Sequence, residues 1–504
     1  MDARDKTKKR VAIACQGGGS HTAFTAGALK KILEKGHERH DFVAFSGTSG
    51  GAVCALLAWY ALLEYGEGEA AAREAGRLLD KFWLEDNAAR DVPERLLNDW
   101  LVGWLRWQKM TGLLVEGSPN AFSDYWQGRL RRVLEENVPF AEINGELVKP
   151  SSPKLFVGAV NVLTGEFGVF ASHRRERAAS SGAGSSISPA SSWVFNEDPE
   201  SGIGVDAILA SAAIPPIFRG MRIGGSVYWD GLFSQNPPVR ELLNAQPDEI
   251  WLIQINQSRM APRPKEPEPG DEPTSVVEIL DRRNALAGNL SLNQELRHLE
   301  EINELIEELG EGEDLRDKRL RLEKKGREYK PTVVRQIEMS WPLGATSKLD
   351  RSPSFIRRMM GYGERRAEEF FGALAFEEMW ASRDPDAVLG CFAEDAETHL
   401  GAPFRARASY KGEQEIRDFV WEHLTNNDVR IDPTKKEVVG EVVTWMVRIS
   451  PHLSNAERNA EPAEGMVEAL FEGGKIRSLS FVPSKESPTM STADGAPPRG
   501  DGFA

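Results

Sequence analysis

The 504-residue chain is poor in cysteine: Cys15, Cys54 and Cys391 stand far apart in apolar surroundings. That excludes a disulfide framework and a CxxC metal cluster, and it fits a reducing compartment. The sequence also lacks an excess of positive charge, with Lys+Arg 62 against Asp+Glu 77 and a net charge of -15. Nucleic acid is therefore not an expected partner, and any contact with lipid has to be mainly apolar. Long hydrophobic runs are missing too. The longest, GGAVCALLAWYALL, falls short of the roughly 20 residues that a membrane-spanning helix needs. The opening MDARDKTKKR has no apolar core of a signal peptide, so the expectation is a soluble, non-secretory, cytoplasmic protein with at most a peripheral membrane contact. There is no internal repeat.

What is present is ordinary globular material, 40% apolar and 28% charged, enough for two or three domains. Residues 10–65 read as strand RVAIAC, a glycine loop, helix FTAGALKKILEKG, strand DFVAFSG, a tight turn and helix GAVCALLAWYALLEYG. This βαβα order implies parallel strands joined by right-handed crossovers. Further strand-like runs lie at 154–170 and 249–256, and a helical run follows residue 275. The small polar stretch 179–192 is expected to be a mobile surface loop. The proline-rich stretch 261–273 is expected to be a charged excursion, and 312–330 a solvated charged helix. From about residue 375 the texture changes: a new helix LAFEEMWASRDPDAVLGCFAEDA, then YKGEQEIRDFVWEHL, then alternating strands, as in a small separate α+β domain over 375–485. Residues 486–504 are expected to be a disordered tail.

Three short blocks carry chemistry. SGTSGGA matches GxSxG at Gly47, Ser49 and Gly51, between a strand and a helix, where a serine hydroxyl projects from a strained turn. Ser49 would sit at the helix N-terminus, where the dipole favours developing negative charge. By itself the pentapeptide also fits a helix N-cap. YWDGLFSQNPP places Asp230 before Gly231, which alone would be a tight turn. ILASAAIPPIF ends a helix in two prolines. The triple glycine 17–19 is not a dinucleotide loop, because Thr22 stands where GxGxxG needs its last glycine.

QGGGSHTAFTAGAL, GTSGGA, ASAAIPPIF and DGLFSQNPP occur in the order and spacing of the patatin-like phospholipases, and over residues 10–372 the chain resembles a bacterial patatin-like acyl hydrolase. The resemblance implies a mostly parallel sheet flanked by helices. It implies a dyad of Ser49 as nucleophile and Asp230 as its activating group, with oxyanion amides from Gly17, Gly18 and Gly19 and neither metal nor cofactor. The implied substrate is a lipid or other acyl ester. Two residues depart from the family pattern: His21 replaces the usual Arg or Lys, and Gln16 stands where many members carry Asp. These keep open a non-catalytic lipid-binding or scaffold role, and a transacylase shares the same acyl-enzyme.

Trp100, Trp104 and Trp107 recur at helical spacing and are candidates for substrate binding, either over an acyl pocket or on a lipid surface; core packing is the alternative. Residues 375–485 resemble SnoaL-like cone-shaped α+β domains, through DPDAVLGCFAEDAETHL, YKGEQEIRDFV and the strand meander. That resemblance implies small-molecule binding or a homodimer through this domain. Asp395 and His399 are candidates for a polar pocket, with a surface position favoured.

Overall fold

A computed structural model describes residues 8–111, 123–143, 147–173, 192–193, 203–215, 217–256, 276–310, 330–341, 343–400, 409–422, 424, 429–439, 442–449 and 463–483. The loop 179–192, the proline-rich stretch 261–273, the charged run 312–330 and the tail 486–504 lie outside these residues, apart from Ser192 and Lys330. The chain divides into two compact units: Met1–Phe371 with Val438–Glu441, and Gly372–Glu437 with Val442–Ala504.

The first unit is a mixed α/β layer structure. Its strands are β1 (Lys9–Cys15), β2 (His40–Gly47), β3 (Lys154–Asn161), β4 (Phe167–Ala171), β5 (Ser192–Trp193), β6 (Met221–Ile223), β7 (Ser226–Asp230), β8 (Glu249–Gln254) and β9 (Val333–Glu338). They form one sheet in the order β5-β4-β3-β2-β1-β8-β9, with β7 on β3 and β6 on β7. From β3 through β9 along this order every pairing is parallel. β1 lies between β2 and β8, and its residues Val11–Cys15, which point alternately to the two faces of the sheet, are all buried; both faces are covered, and VAIAC is an unbroken apolar run rather than an alternating one. One face packs Ala12, Ala14, Ala44, Ile250 and Leu252 over Leu292 and Leu299 of the helix Val276–Gly310. Helix α1 (Ala23–Gly36) follows β1, and α2 (Gly50–Tyr65) follows β2. α2 is apolar nearly all round and is correspondingly buried, in contact with β2, α1 and a third helix, α3 (Glu69–Asp80).

Register explains how β7 reaches the end of β2. Residues 154–157 of β3 pair with β2 on one flank, and residues 156–160 pair with β4 on the other. β3 runs on past Gly47, the last residue of β2, and its residues 159–161 take β7 antiparallel on the flank that β2 has left. The C-terminal end of β7 thereby faces the C-terminal end of β2.

The second unit is an α+β sheet domain. Its strands are β10 (Phe392–Leu400), β11 (Ser409–Lys411), β12 (Val429–Val439), β13 (Val442–Ile449), β14 (Ala463–Glu472) and β15 (Lys475–Pro483), ordered β11-β10-β15-β14-β13-β12. Helix Glu413–Trp421 packs against β10 and β11. One expectation is corrected here. No new helix begins at Leu374: the helix Pro353–Ser382 runs straight through, and FAEDA opens strand β10. Nothing between 374 and 382 breaks a helix. The break comes at Arg383, with φ 58°, after which Asp384 caps a short helix Pro385–Leu389 through bonds from the Asp386 and Ala387 amides.

Candidate active site

The site is built at the carboxyl ends of β1, β2 and β8, with the end of β7 entering from the side. At Ser49 the chain turns from β2 into α2 with φ 55° and ψ -129°, a conformation that a non-glycine residue adopts only when its surroundings enforce it. Those surroundings are specific. The Ser49 amide donates to Ser211 Oγ at 2.9 Å, and the Ser211 hydroxyl donates to the Gly158 carbonyl at 2.6 Å. Thr48 Oγ1 donates to the Gln235 carbonyl at 2.7 Å. The elbow is thus tied to the helix Val205–Ser211, to β3 and to the turn after β7.

Asp230, the last residue of β7, is buried. Its Oδ1 accepts the Leu232 amide at 2.8 Å, and its own amide donates to the Ala213 carbonyl at 3.0 Å. Burial pushes its carboxyl up to about 7; the bonds from the Leu232 amide and the Ser49 side chain act in the opposite direction. Ser49 and Asp230, separated by most of the domain in sequence, are brought near one another, the Ser49 side chain being close enough to act on the Asp230 carboxyl.

The glycine loop does not use its three residues alike. A Cβ on Gly17 would stand 2.2 Å from the Thr48 carbonyl oxygen and 2.8 Å from Ser49 Cβ, so only glycine lets the loop lie against the elbow. The Gly17 amide, expected among the oxyanion donors, is taken: it donates to Asn236 Oδ1 at 2.7 Å, while Asn236 Nδ2 returns a bond to the Gly17 carbonyl at 3.3 Å. Gly17 is a spacer clamped by Asn236. Among the described residues the Gly18 and Gly19 amides find no such acceptor. Gly19, at φ 59°, turns the chain into a short 3-10 segment, Gly19–Thr22.

The two residues that depart from the family pattern have bonds of their own. Gln16 Oε1 accepts the Ile255 and Asn256 amides at 2.8 and 2.7 Å, and its Nε2 reaches the Asn236 carbonyl and Asn289 Oδ1, both at 3.2 Å. A carboxylate could accept the first pair but not donate the second. His21 is buried with Nε2 2.8 Å from Ser347 Oγ. Burial, and then the nearby Lys348 charge, push its pKa down to about 3, so the ring is neutral.

Trp100, Trp104 and Trp107 lie on helix α4 (Val92–Thr111), stacked at ring-centroid distances of 6.1 and 5.0 Å. Trp100 and Trp107 are exposed, so the stripe is not core. Asp395 faces solvent against Arg477 at 3.0 Å, and His399 is exposed beside Glu397. Among the described residues no group of His, Cys, Asp and Glu could hold a metal ion, and no helix is long and apolar enough to cross a membrane. Sequence reasoning passed over Ser211 and Asn236, although both sit inside quoted blocks; a polar residue within an otherwise apolar block was the available signal. Ser347 carried no signal at all.

No curated protein matches the chain. Among solved structures, a putative polyketide cyclase from Sinorhizobium meliloti is similar at 16% identity, covering 22% of this chain and 92% of that one, with a TM-score of 0.18. An NTF2-like protein of unknown function from Burkholderia pseudomallei is similar at 16% identity over 23% and 91%, TM-score 0.21. One from Mesorhizobium loti is similar at 17% over 23% and 89%, TM-score 0.20. Family models match at residues 13–243, patatin-like phospholipase, and at 373–479, SnoaL-like domain. The chain thus carries a patatin-like phospholipase domain followed by a C-terminal SnoaL-like domain.

Proposed function

We propose that this protein is a serine hydrolase of lipid acyl esters acting through Ser49 and Asp230. The patatin-like domain supports lipid acyl hydrolysis in general terms. The observation that carries the specific reading is the strained Ser49 elbow at the end of β2, with the buried Asp230 carboxyl brought to the same place by the end of β7. As Ser49 Oγ attacks the ester carbonyl carbon, its proton passes to Asp230. The carbonyl oxygen becomes an oxyanion facing the Gly18 and Gly19 amides and the first turn of α2. Collapse expels the alcohol, which takes the proton from Asp230, and leaves an acyl-serine. Water, deprotonated by Asp230, then releases the fatty acid and restores the serine. A carboxyl held near 7 suits this exchange, since a base works best with a pKa near the working pH.

A transacylase differs only in the acceptor of the acyl group. The non-catalytic reading loses its motive, because Gln16 and His21 direct their bonds to residues 236, 255, 256, 289 and 347. Ser49→Ala is expected to abolish labelling by a fluorophosphonate probe, and Ser49→Ala and Asp230→Asn each to lower ester hydrolysis by at least about 10³-fold with no loss of melting temperature. Full activity in either variant overturns the reading.

A further inference from the structure

Helix α4 is amphipathic the wrong way round for a helix that only covers a core. At 3.6 residues per turn Val92, Leu96, Trp100, Trp107 and Met110 share one face, and all five are exposed, Trp100 by 61% and Met110 by 80%. The side turned to the protein carries Asn98, Val102 and Gln108. The helix Val276–Gly310, which touches α4, repeats the pattern: Val276, Ile279, Leu280, Leu286 and Leu290 fall on one face and are all exposed. Two adjoining helices with large apolar side chains in water form a patch that a soluble monomer rarely carries without a partner.

This patch is wired to the glycine loop. The segment 347–351 holds both helices: the Arg351 amide donates to Asn98 Oδ1 at 2.9 Å, and Lys348 Nζ pairs with Asp281 at 2.7 Å. The same segment holds the loop, through Ser347 on His21 at 2.8 Å and the Lys348 carbonyl, 2.4 Å from where a Gly19 Cβ would stand.

We propose that the exposed faces of α4 and of the first half of helix Val276–Gly310 form a surface that docks on zwitterionic phospholipid bilayers beside the Ser49 site. The choice of occupant rests on the acyl-hydrolase reading and on charge. α4 itself is nearly balanced, with Glu94 and Asp99 against Arg95, Arg106 and Lys109, while the chain carries -15 overall. With almost no excess of basic side chains on α4 and none in the chain as a whole, the face has little to draw it to an anionic membrane, whereas a neutral one accepts the apolar side chains and the tryptophans that favour its headgroup region.

The test uses the full chain with phosphatidylcholine vesicles, read by co-sedimentation and by quenching of tryptophan emission with brominated phosphatidylcholine. Binding is expected without anionic lipid, and it is expected to persist from about 0.1 to about 1 M salt. Leu96→Asp with Met110→Asp should weaken it by at least about tenfold, with hydrolysis of a water-soluble butyrate ester unchanged. Ile279→Asp with Leu286→Asp, on the other helix, should act in the same way if the first pair lowers the melting temperature. No binding to phosphatidylcholine, binding that requires phosphatidylserine, undiminished binding in both double variants, or self-association that buries the patch instead would each overturn the proposal. Ser49→Ala separates the two readings: it should bind vesicles like the unaltered chain. Vesicle binding without any Ser49-dependent hydrolysis sinks the enzyme alone, and hydrolysis without binding sinks the docking surface alone.

Discussion

Two buried regions of this protein are made of opposite materials. Around the elbow the interior is polar: Gln16, Thr48, Ser211, Gln235 and Asn236 are all buried, and each makes a hydrogen bond to a defined partner. In the C-terminal unit the interior is aromatic. Phe376 meets Trp380, Phe392 and Trp445 at 5.4, 6.1 and 5.6 Å, and Trp445 meets Phe471 at 6.2 Å. Even there the indole N–H groups are satisfied, Trp445 on Glu377 and Trp380 on the Val429 carbonyl, both at 2.8 Å. The difference teaches what each region is for. A buried hydrogen bond nets only about 1 kcal/mol, yet leaving one unmade costs more, so the polar cluster specifies geometry; the aromatic cluster supplies stability.

Breaking the aromatic side should give the largest effect on stability. Trp445→Ala is expected to destabilise the C-terminal unit by about 3–5 kcal/mol, read by denaturant unfolding, while hydrolysis of a water-soluble ester by the first unit is unchanged at low temperature. Parallel loss of activity would show that the two interiors are not independent.

Asp230→Asn sharpens the polar side, because it should gain stability as it loses activity. A carboxyl whose folded pKa is raised from 3.8 to about 7 adds stability in full below 3.8, and that contribution drains as pH rises through 7. At pH 8 the amide should therefore be more stable than the carboxylate by roughly 2–4 kcal/mol, seen as a higher melting temperature. For the same reason kcat/KM of the unaltered chain should rise with pH along a limb centred near 7. A flat profile from 5 to 8 would remove Asp230 as the base.

Asn236→Ala unclamps Gly17 and should lower kcat/KM about 10- to 100-fold with little change in vesicle binding. The smallest effect is expected at His21. Restoring the family's arginine puts a cation into a buried site beside Lys348, and His21→Arg should lower stability by about 1–2 kcal/mol at pH 7. If it is instead stabilising, the neutral ring is not what the loop requires.

Much of the candidate site's local geometry was legible because its parts are local. A strand, a tight turn and a helix start are written in consecutive residues, so the turn at Ser49 follows from SGTSGGA and its flanks alone. The helix through 374–382 is not legible from composition, because a change of composition is not a change of element and a helix stops only where a breaker or a cap stops it. The tryptophan spacing showed that three rings share a face, but not which way that face looks.

By itself the sequence determined the βαβα opening, the apolar strands of a sheet covered on both faces, the elbow and the four blocks, since these depend on neighbours along the chain. Only the tertiary structure decided that β7 occupies the flank that β2 leaves on β3 and so brings Asp230 to Ser49. It also decided that Asn236 takes the Gly17 amide and that α4 turns its tryptophans outward. The physical reason is the same in each case: a backbone amide has one proton to give and a helix has one face to bury, and which partner receives them is settled by residues distant in the chain.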